Sequence, residues 1–495
     1  IYRWRGAEIR NILDFQKDYP EAVVVPLEQN YRSTKTIISA ADSVIKKNTH
    51  QLKKTLWTDN PEGELIEIIE CDNDGQEADV IVNLVVKAKT ESDFKPEDFA
   101  VLYRTNAQSL ALEKSFIKEN IPYVIVGGTS FYQRKEIKDT LAYFKILINP
   151  SDSESLLRVV NEPPRGIGLT SLKHLRTFAQ DNKKSLFDVF EIAHKVPELQ
   201  TRAVTAVKKF IEFVKSYEIK RLKLPPEELA VDFIEESGLL QMYKDINTEE
   251  SLDKWNNIQQ LLSDMQEFFR KEENANIEEY LQQVTLITDL DKKDINQKQV
   301  KMMTLHSAKG LEFPVVVISG VEHGLFPLAK AEMHPEEEEE ERRLFYVGIT
   351  RAMEKLYITY AYKRLRFGEY RDSMPSKFIK EIDAKFLQHK TATVGQKQNF
   401  ANGSFPTISK NKTYSNNSNF NKTKNYSYGQ TEQATPASDT TYPFKVGDRV
   451  NHAHFGAGKV LAMTGVGQNA KAVVDFKGVG RKVLMLQFAK LEKIS

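Results

Sequence analysis

Two arginines far apart in the chain, Arg32 and Arg351, stand in surroundings suited to a phosphate. Arg32 follows Tyr31 in the segment Leu27-Glu28-Gln29-Asn30-Tyr31-Arg32-Ser33-Thr34. A nucleotide lying between two domains needs a flat surface for its base and a mobile cation for its γ-phosphate, and this pair offers both. An arginine donated across a domain gap stabilises the charge that develops during phosphoryl transfer. Taken alone, Tyr31-Arg32-Ser33 is also no more than a turn ahead of a helix cap. Arg351 closes Glu340-Glu341-Arg342-Arg343-Leu344-Phe345-Tyr346-Val347-Gly348-Ile349-Thr350-Arg351-Ala352. On a helix, Arg343, Tyr346, Val347, Thr350 and Arg351 share one face. An arginine on a solvated amphipathic helix has the same spacing. Gly348 inside that helix costs roughly 1 kcal/mol against Ala, which predicts close approach by another element.

Upstream, Thr304-Leu305-His306-Ser307-Ala308-Lys309-Gly310-Leu311-Glu312-Phe313 runs from a strand into a loop able to meet backbone phosphates. Alone, His306 and Glu312 read as a buried structural histidine and a surface acid. Base stacking on an aromatic is worth about 1–3 kcal/mol and is indifferent to sequence. Phe367, between Arg366 and Gly368, is a poor core residue and a candidate platform. Gly166-Ile167-Gly168 precedes a helical stretch and would expose backbone N–H groups to an anion such as a duplex phosphate. It reads equally as a helix start after a flexible loop.

These segments, in this order, resemble the late motifs of UvrD/PcrA-type DNA helicases, the group called superfamily 1A, nearest its PcrA branch. The resemblance covers nearly all of 1–390 and 442–495. It implies ATP contacts at Tyr31, Arg32, Arg351 and, to the ribose, Glu312. It implies catalytic roles for Arg32, Arg351 and Arg5, the last in Ile1-Tyr2-Arg3-Trp4-Arg5-Gly6-Ala7. Single-stranded DNA would stack on Trp4, beside Tyr2, and on Phe367. Arg104 and Asn106, in Tyr103-Arg104-Thr105-Asn106-Ala107-Gln108, would grip its backbone. His306 would lie near the strand and link the two sites, and Gly166 and Gly168 would touch the duplex ahead of the fork. Phe131, Arg134 and Glu136 match a motif of domain contacts. The implied cofactors are ATP and Mg²⁺, with no metal ligands expected in this chain. The implied activity is 3′-to-5′ translocation and unwinding in DNA repair and replication. RNA polymerase is the implied partner of 442–495, and the implied location is the bacterial cytoplasm at the nucleoid. No G-x-x-x-x-G-K-[S/T] phosphate loop occurs in the 495 residues, nor the family's magnesium-holding Asp-Glu motif. The chain by itself is therefore expected to be inactive. A catalytically dead scaffold that binds DNA and RNA polymerase is the alternative; a basic C-terminal segment argues against a helicase–nuclease.

The elements needed to position these residues follow from composition and period. With 40% hydrophobic and 28% charged residues the chain is ordinary globular protein, and its length implies several domains. No run of 18 apolar residues predicts a transmembrane helix. A start at Ile1 reads as a truncation, and the one cysteine, Cys71, rules out an internal disulfide and suits a reducing compartment. Net charge of +1 decides nothing about a polyanionic partner. Residues 1–26 read as the end of one RecA-like domain, with a strand at Ala22-Val23-Val24-Val25-Pro26. Short apolar runs alternate with helical periods over 27–133 and again over 297–390, which predicts a second RecA-like α/β domain with a parallel sheet. Residues 134–296 are helical in pattern and read as an insertion into it. An Asn/Ser/Thr-rich linker over 391–441 and a small SH3/Tudor-like β-barrel over 442–495 complete the reading. The run Glu336–Glu341 reads as a solvated helix start, favoured there by the dipole.

Overall fold

The computed structural model describes residues 10–51, 54–272, 275–291 and 298–392, and in the C-terminal segment 445, 447–452, 456–464, 471–476, 480–485 and 491–494. Two compact units result, 1–401 and 402–495. Tyr2, Trp4 and Arg5 and the expected linker from 393 onward lie outside the described residues.

The first unit is built on an eight-stranded sheet. Its strands are β1 (Ile66–Asn73), β2 (Phe99–Tyr103), β3 (Tyr123–Ile125), β4 (Val300–Thr304), β5 (Phe313–Ile318), β6 (Ala352–Arg366), β7 (Glu369–Asp372) and β8 (Leu387–Thr391). The order is β3-β4-β2-β5-β6-β1-β8, all parallel, with β7 folded back antiparallel on β6. β2 is buried at every residue, as a central parallel strand covered on both faces must be. Its period of two divides it. Ala100 and Leu102 join one core with Val316, Ile318, Leu344 and Phe345, whereas Phe99, Val101 and Tyr103 join another with Ile81, Val82 and Phe116.

Two short helices, α1 (Arg10–Leu13) and α2 (Phe15–Asp18), precede α3 (Lys35–Ile45). α4 (Asp74–Glu91) and α5 (Ser109–Lys118) cover the second face. Between β3 and β4 the chain leaves the sheet for nine helices, counted among the described residues. They are α6 (Lys135–Ile148), α7 (Ser153–Val159), α8 (Leu169–Asp181), α9 (Leu186–Glu191), α10 (Thr201–Lys220), α11 (Pro226–Glu236), α12 (Leu239–Ile246), α13 (Glu249–Lys271) and α14 (Ile277–Asp291). They close around their own core, in which Phe233 meets Tyr143, Phe144, Phe213 and Tyr217. α15 (Pro335–Ile349) and α16 (Lys377–Glu381) return to the first face beside α3. The second unit is a five-stranded antiparallel sheet of β9 (Arg449–His452), β10 (Gly456–Thr464), β11 (Lys471–Phe476), β12 (Gly480–Met485) and β13 (Leu491–Ile494), in the order β12-β11-β10-β9-β13.

Two expectations fail for one reason, the identity of the neighbour. Ala22–Pro26 forms no strand; Val23 is 85% exposed, because a strand needs an adjoining ladder and none lies beside it among the described residues. The acidic run begins a helix but is not solvated. Glu339 and Glu341 are buried, and Arg342 is held by Glu338 at 2.6 Å and by Glu381 at 2.7 and 2.8 Å. Asn48, at the end of α3, takes a further hydrogen bond from Arg342 at 2.8 Å.

The buried charge at the exit of β6 is more demanding. Arg364 pairs with Glu77 and donates to Glu322 twice at 2.7 Å; Glu322, fully buried, also accepts from Ala361 N at 2.7 Å and Ser373 Oγ at 3.0 Å. Removing one partner strands a charge away from water. Glu322→Ala should therefore lower unfolding stability by about 3–5 kcal/mol, read as a shift of the denaturant midpoint of unit 1.

Candidate phosphate-facing site and strand track

The first site is assembled by a turn. Asn30 Oδ1 accepts from the backbone N–H groups of Arg32 and Ser33, both at 2.9 Å, and so shapes the bend that projects Arg32. The bend docks on the entry to β6: Ser33 Oγ donates to Ala352 O at 2.6 Å and Thr34 N to Met353 O at 3.1 Å. Asn60 donates to Tyr31 O at 3.3 Å and Ser33 O at 3.1 Å from behind. Tyr31 then stands 79% exposed, its hydroxyl donating to Gln29 Oε1 at 2.6 Å, so the ring is tethered at its edge with a face free.

Arg32 donates to Glu312 at 2.5 Å and to Thr350 O at 3.2 Å. Arg351 lies just past the end of α15, not on it, because the helix stops at Ile349 with Thr350 as its cap. Its guanidinium folds back on Val347 O at 3.0 Å, Leu311 O at 2.9 Å and Thr350 Oγ1 at 3.1 Å. Burial, then the positive charge of Arg32, pulls the Arg351 pKa down to about 10, against a smaller opposing pull from Glu312. Arg32 thus holds a carboxylate that is half in solvent, while Arg351 beside it is bonded to neutral acceptors only. The expected close approach at Gly348 is present: a Cβ there would stand 2.5 Å from Leu305 Cδ2 and 3.1 Å from Ile318 Cδ1.

The strand-side residues gather where β2, β4 and β6 exit the sheet, the end at which open α/β sheets bind ligands. Tyr103 pairs with Thr304, which sets the Arg104–Asn106 loop beside half-buried His306. The connection 305–312 then carries His306 at one end and Glu312 at the other, between the exit of β4 and the entry of β5. Arg104 is not presented to a ligand; Glu341 takes its fork at 2.8, 3.0 and 3.1 Å. Asn106 donates to Asp253 on α13 at 3.1 Å. Phe367 and Gly368, both at positive φ, make the two-residue turn between β6 and β7. The Phe367 ring is 47% exposed, near Trp255 of α13 at 5.9 Å and under Arg371 at 5.0 Å. Gly166 and Gly168 stand far along the chain at the start of α8. Gly166 is at φ +78°, Gly168 caps the helix with open space around it, and the loop is braced by Arg165 on Tyr143 at 2.7 Å and Ser237 at 2.9 Å. Arg134 is an internal tie, donating to Asn106 O at 2.9 Å, Asn257 at 3.1 Å and Ser109 at 2.8 Å. Sequence reasoning missed Trp255 and Glu341, since nothing local to either names a partner more than 100 residues away.

The family described as UvrD-like helicase C-terminal domain matches residues 25–363, and the family described as PcrA/UvrD tudor domain matches 446–493. Among curated relatives, an ATP-dependent DNA helicase PcrA of Leuconostoc citreum is 38% identical over the whole of this chain and 66% of its own length. Proteins of the same name from Staphylococcus aureus and Staphylococcus epidermidis are 39% identical over the whole chain and 65% of theirs. The chain thus spans about two thirds of the length of these relatives. It belongs to the UvrD-like helicase family, with a tudor-type module at its C-terminal end.

The Gly348 contact gives a test of the packing beneath the site. Gly348→Ala gains up to about 1 kcal/mol of helix propensity but overpacks Leu305 and Ile318 at a cost of about 1–3 kcal/mol. The expected outcome is a lower melting midpoint, although the same change at an exposed helix position raises it.

Proposed function

We propose that this member of the UvrD-like helicase family is the part of an ATP-dependent 3′-to-5′ DNA translocase that offers Arg32 and Arg351 to the phosphates of ATP. The observation that carries this reading is the placing of two guanidinium groups side by side, Arg32 on Glu312 and Arg351 on neutral acceptors alone, with the Arg351 pKa driven down to about 10 by burial and by Arg32. Bringing positive charge into a partly dry cleft is costly unless charge develops there during reaction.

ATP with Mg²⁺ supplies the phosphoryl group when bound; the loop that cradles its phosphates has to come from outside these residues. The chain's own groups orient and stabilise. Tyr31 offers an exposed face to the base. Glu312, now on Arg32, exchanges that partner for the ribose, which frees Arg32 to turn to the γ-phosphate. Arg351, clamped by three neutral acceptors, keeps its position without a counter-ion. Single-stranded DNA lies at the strand-exit end, with Phe367 as stacking platform and His306 beside it. The connection 305–312 joins the two ends, so a shift at Glu312 on hydrolysis moves His306.

Residues 27–133 and 297–390 act as the second RecA-like domain of the motor, and 134–296 as the domain that meets duplex through Gly166 and Gly168. Residues 442–495 carry nine Lys/Arg against three Asp/Glu, a net of +6, which suits docking on an acidic protein face such as RNA polymerase. DNA repair and replication in the bacterial cytoplasm are the setting that the family suggests. No helix among the described residues is long and apolar enough to cross a membrane.

Arg32→Ala and Arg351→Ala, each made in the gene product that also carries the phosphate loop, should lower DNA-stimulated ATP turnover by about 10³-fold or more. Affinity for single-stranded DNA should stay within twofold to threefold by roughly the additivity expected of separate sites. Turnover retained within tenfold in both variants would sink the finger assignment. The chain as given should show no turnover of its own.

A further inference from the structure

Beside the Phe367 turn lies a slot of about 180 Å³, and apart from Phe367 itself the motor reading does not use its lining. One wall is α13, which presents Asn256, Gln259 and Gln260 along a single face, with Ser263 one turn further on. The opposite wall is the end of β6, with Arg366 and Phe367. Among the described residues, the three carboxamides have no side-chain hydrogen bond, and the Arg366 guanidinium has no hydrogen bond or ion pair, although the charges of Glu322 and Asp74 act on it at longer range. Burial holds the Arg366 guanidinium below its ordinary pKa, with the charge of Arg364 adding to the effect. The only carboxylate in the lining is Asp74, which burial pushes up to about 6.

The walls are fixed in place. Gly368 N donates to Ser263 Oγ at 3.0 Å, and the end of the Gln266 side chain lies against Gly368. Tyr370 OH donates to Glu267 at 2.5 Å, again across to α13. The helical insertion is therefore part of the slot and not merely near it. Trp255 adds a second aromatic ring at 5.9 Å from Phe367.

Unpaired carboxamides match the paired donor and acceptor on a nucleobase edge, and those of Asn and Gln suit N6 and N7 of adenine best. A guanidinium free of hydrogen bonds and ion pairs takes a backbone phosphate, and aromatic rings take the base face. These are the three contacts by which unstacked bases are read on single strands. We propose that the slot between α13 and the β6–β7 turn takes one unstacked base of a single strand and reads its edge through Asn256, Gln259 and Gln260, with Arg366 on the adjoining phosphate. At this one position the strand track then binds adenine more tightly than a base that lacks its N7 acceptor. This rests on the single-strand reading above and adds to it a base-reading role for the helical insertion.

The test is fluorescence anisotropy of the purified chain with labelled dA12 and with a 12-mer of 7-deazaadenine, which keeps ring stacking and removes the N7 acceptor. The chain should bind dA12 about fivefold tighter, the lower end of what one bidentate base contact gives. The combined variant Asn256→Ala, Gln259→Ala, Gln260→Ala should bind the two strands equally. A second variant, Arg366→Gln, should weaken both strands alike, lower the slope of log K against log salt by about 1 and keep the preference for dA12. Equal binding of the two strands by the unaltered chain overturns the proposal, as does a preference that survives loss of all three amides. Binding to neither strand defeats the single-strand reading itself, an outcome separate from equal binding to both.

Discussion

Two like charges do not assemble by their own attraction, and the site of this protein depends on what assembles them regardless. Arg32 and Arg351 are brought together by neutral hydrogen bonds: the Asn30 turn, Ser33 on Ala352, Thr34 on Met353, and the carbonyls of Val347 and Leu311 around Arg351. Each bond is worth only about 1 kcal/mol net, but together they fix the backbone on both sides of the pair. The repulsion is thereby stored where a ligand can relieve it. Glu312 relieves part of it in this structure, and its half-exposed position leaves it free to change partners.

The remaining charges do the opposite work. Glu338, Glu339 and Glu341 are consumed by Arg342, Arg343 and Arg104, which bind α15 to α3, α16 and the loop after β2. With those carboxylates satisfied, α15 is rigidly seated, and Gly348 lets it lie against Leu305 and Ile318. The chain leaving the helix therefore delivers Arg351 to one place. On the other side of the sheet, α13 ties the helical insertion to the α/β body through Asp253, Asn257, Ser263, Asp264 and Glu267. The insertion also shares a core with the body, which Leu110, Phe131 and Tyr132 enter, so polar and apolar contacts hold it together.

Much of the architecture is legible in the sequence because it rests on period. The all-apolar Phe99–Tyr103 and Val315–Ile318 are central strands, and the helical pattern over 134–296 is the insertion, whose helices run from Lys135 to Asp291. Gly348 is legible too, since a glycine inside a helix calls for a neighbour. What period cannot convey is who pairs with whom over long separations. Arg104 carries the look of a solvent-facing phosphate contact, yet Glu341 lies on it from 237 positions away. The glutamate run looks solvated for the same reason: Asn48 and Thr49, which bond Glu339, and Glu381, which shares Arg342 with Glu338, meet it only in the fold. Trp255 reads as an ordinary helix aromatic until the β6–β7 turn is seen to reach it.

The account turns on Arg32 and Arg351 forming one seat for a polyvalent anion. The direct measurement is the melting midpoint of the purified chain against pyrophosphate concentration, beside Arg32→Ala and Arg351→Ala at matched ionic strength. A ligand that binds only the folded chain stabilises it by about 2.7 kcal/mol at a hundred times its dissociation constant. The midpoint should climb with pyrophosphate in the unaltered chain and stay flat in both variants. A flat response in the unaltered chain, or an equal climb in all three proteins, contradicts the account.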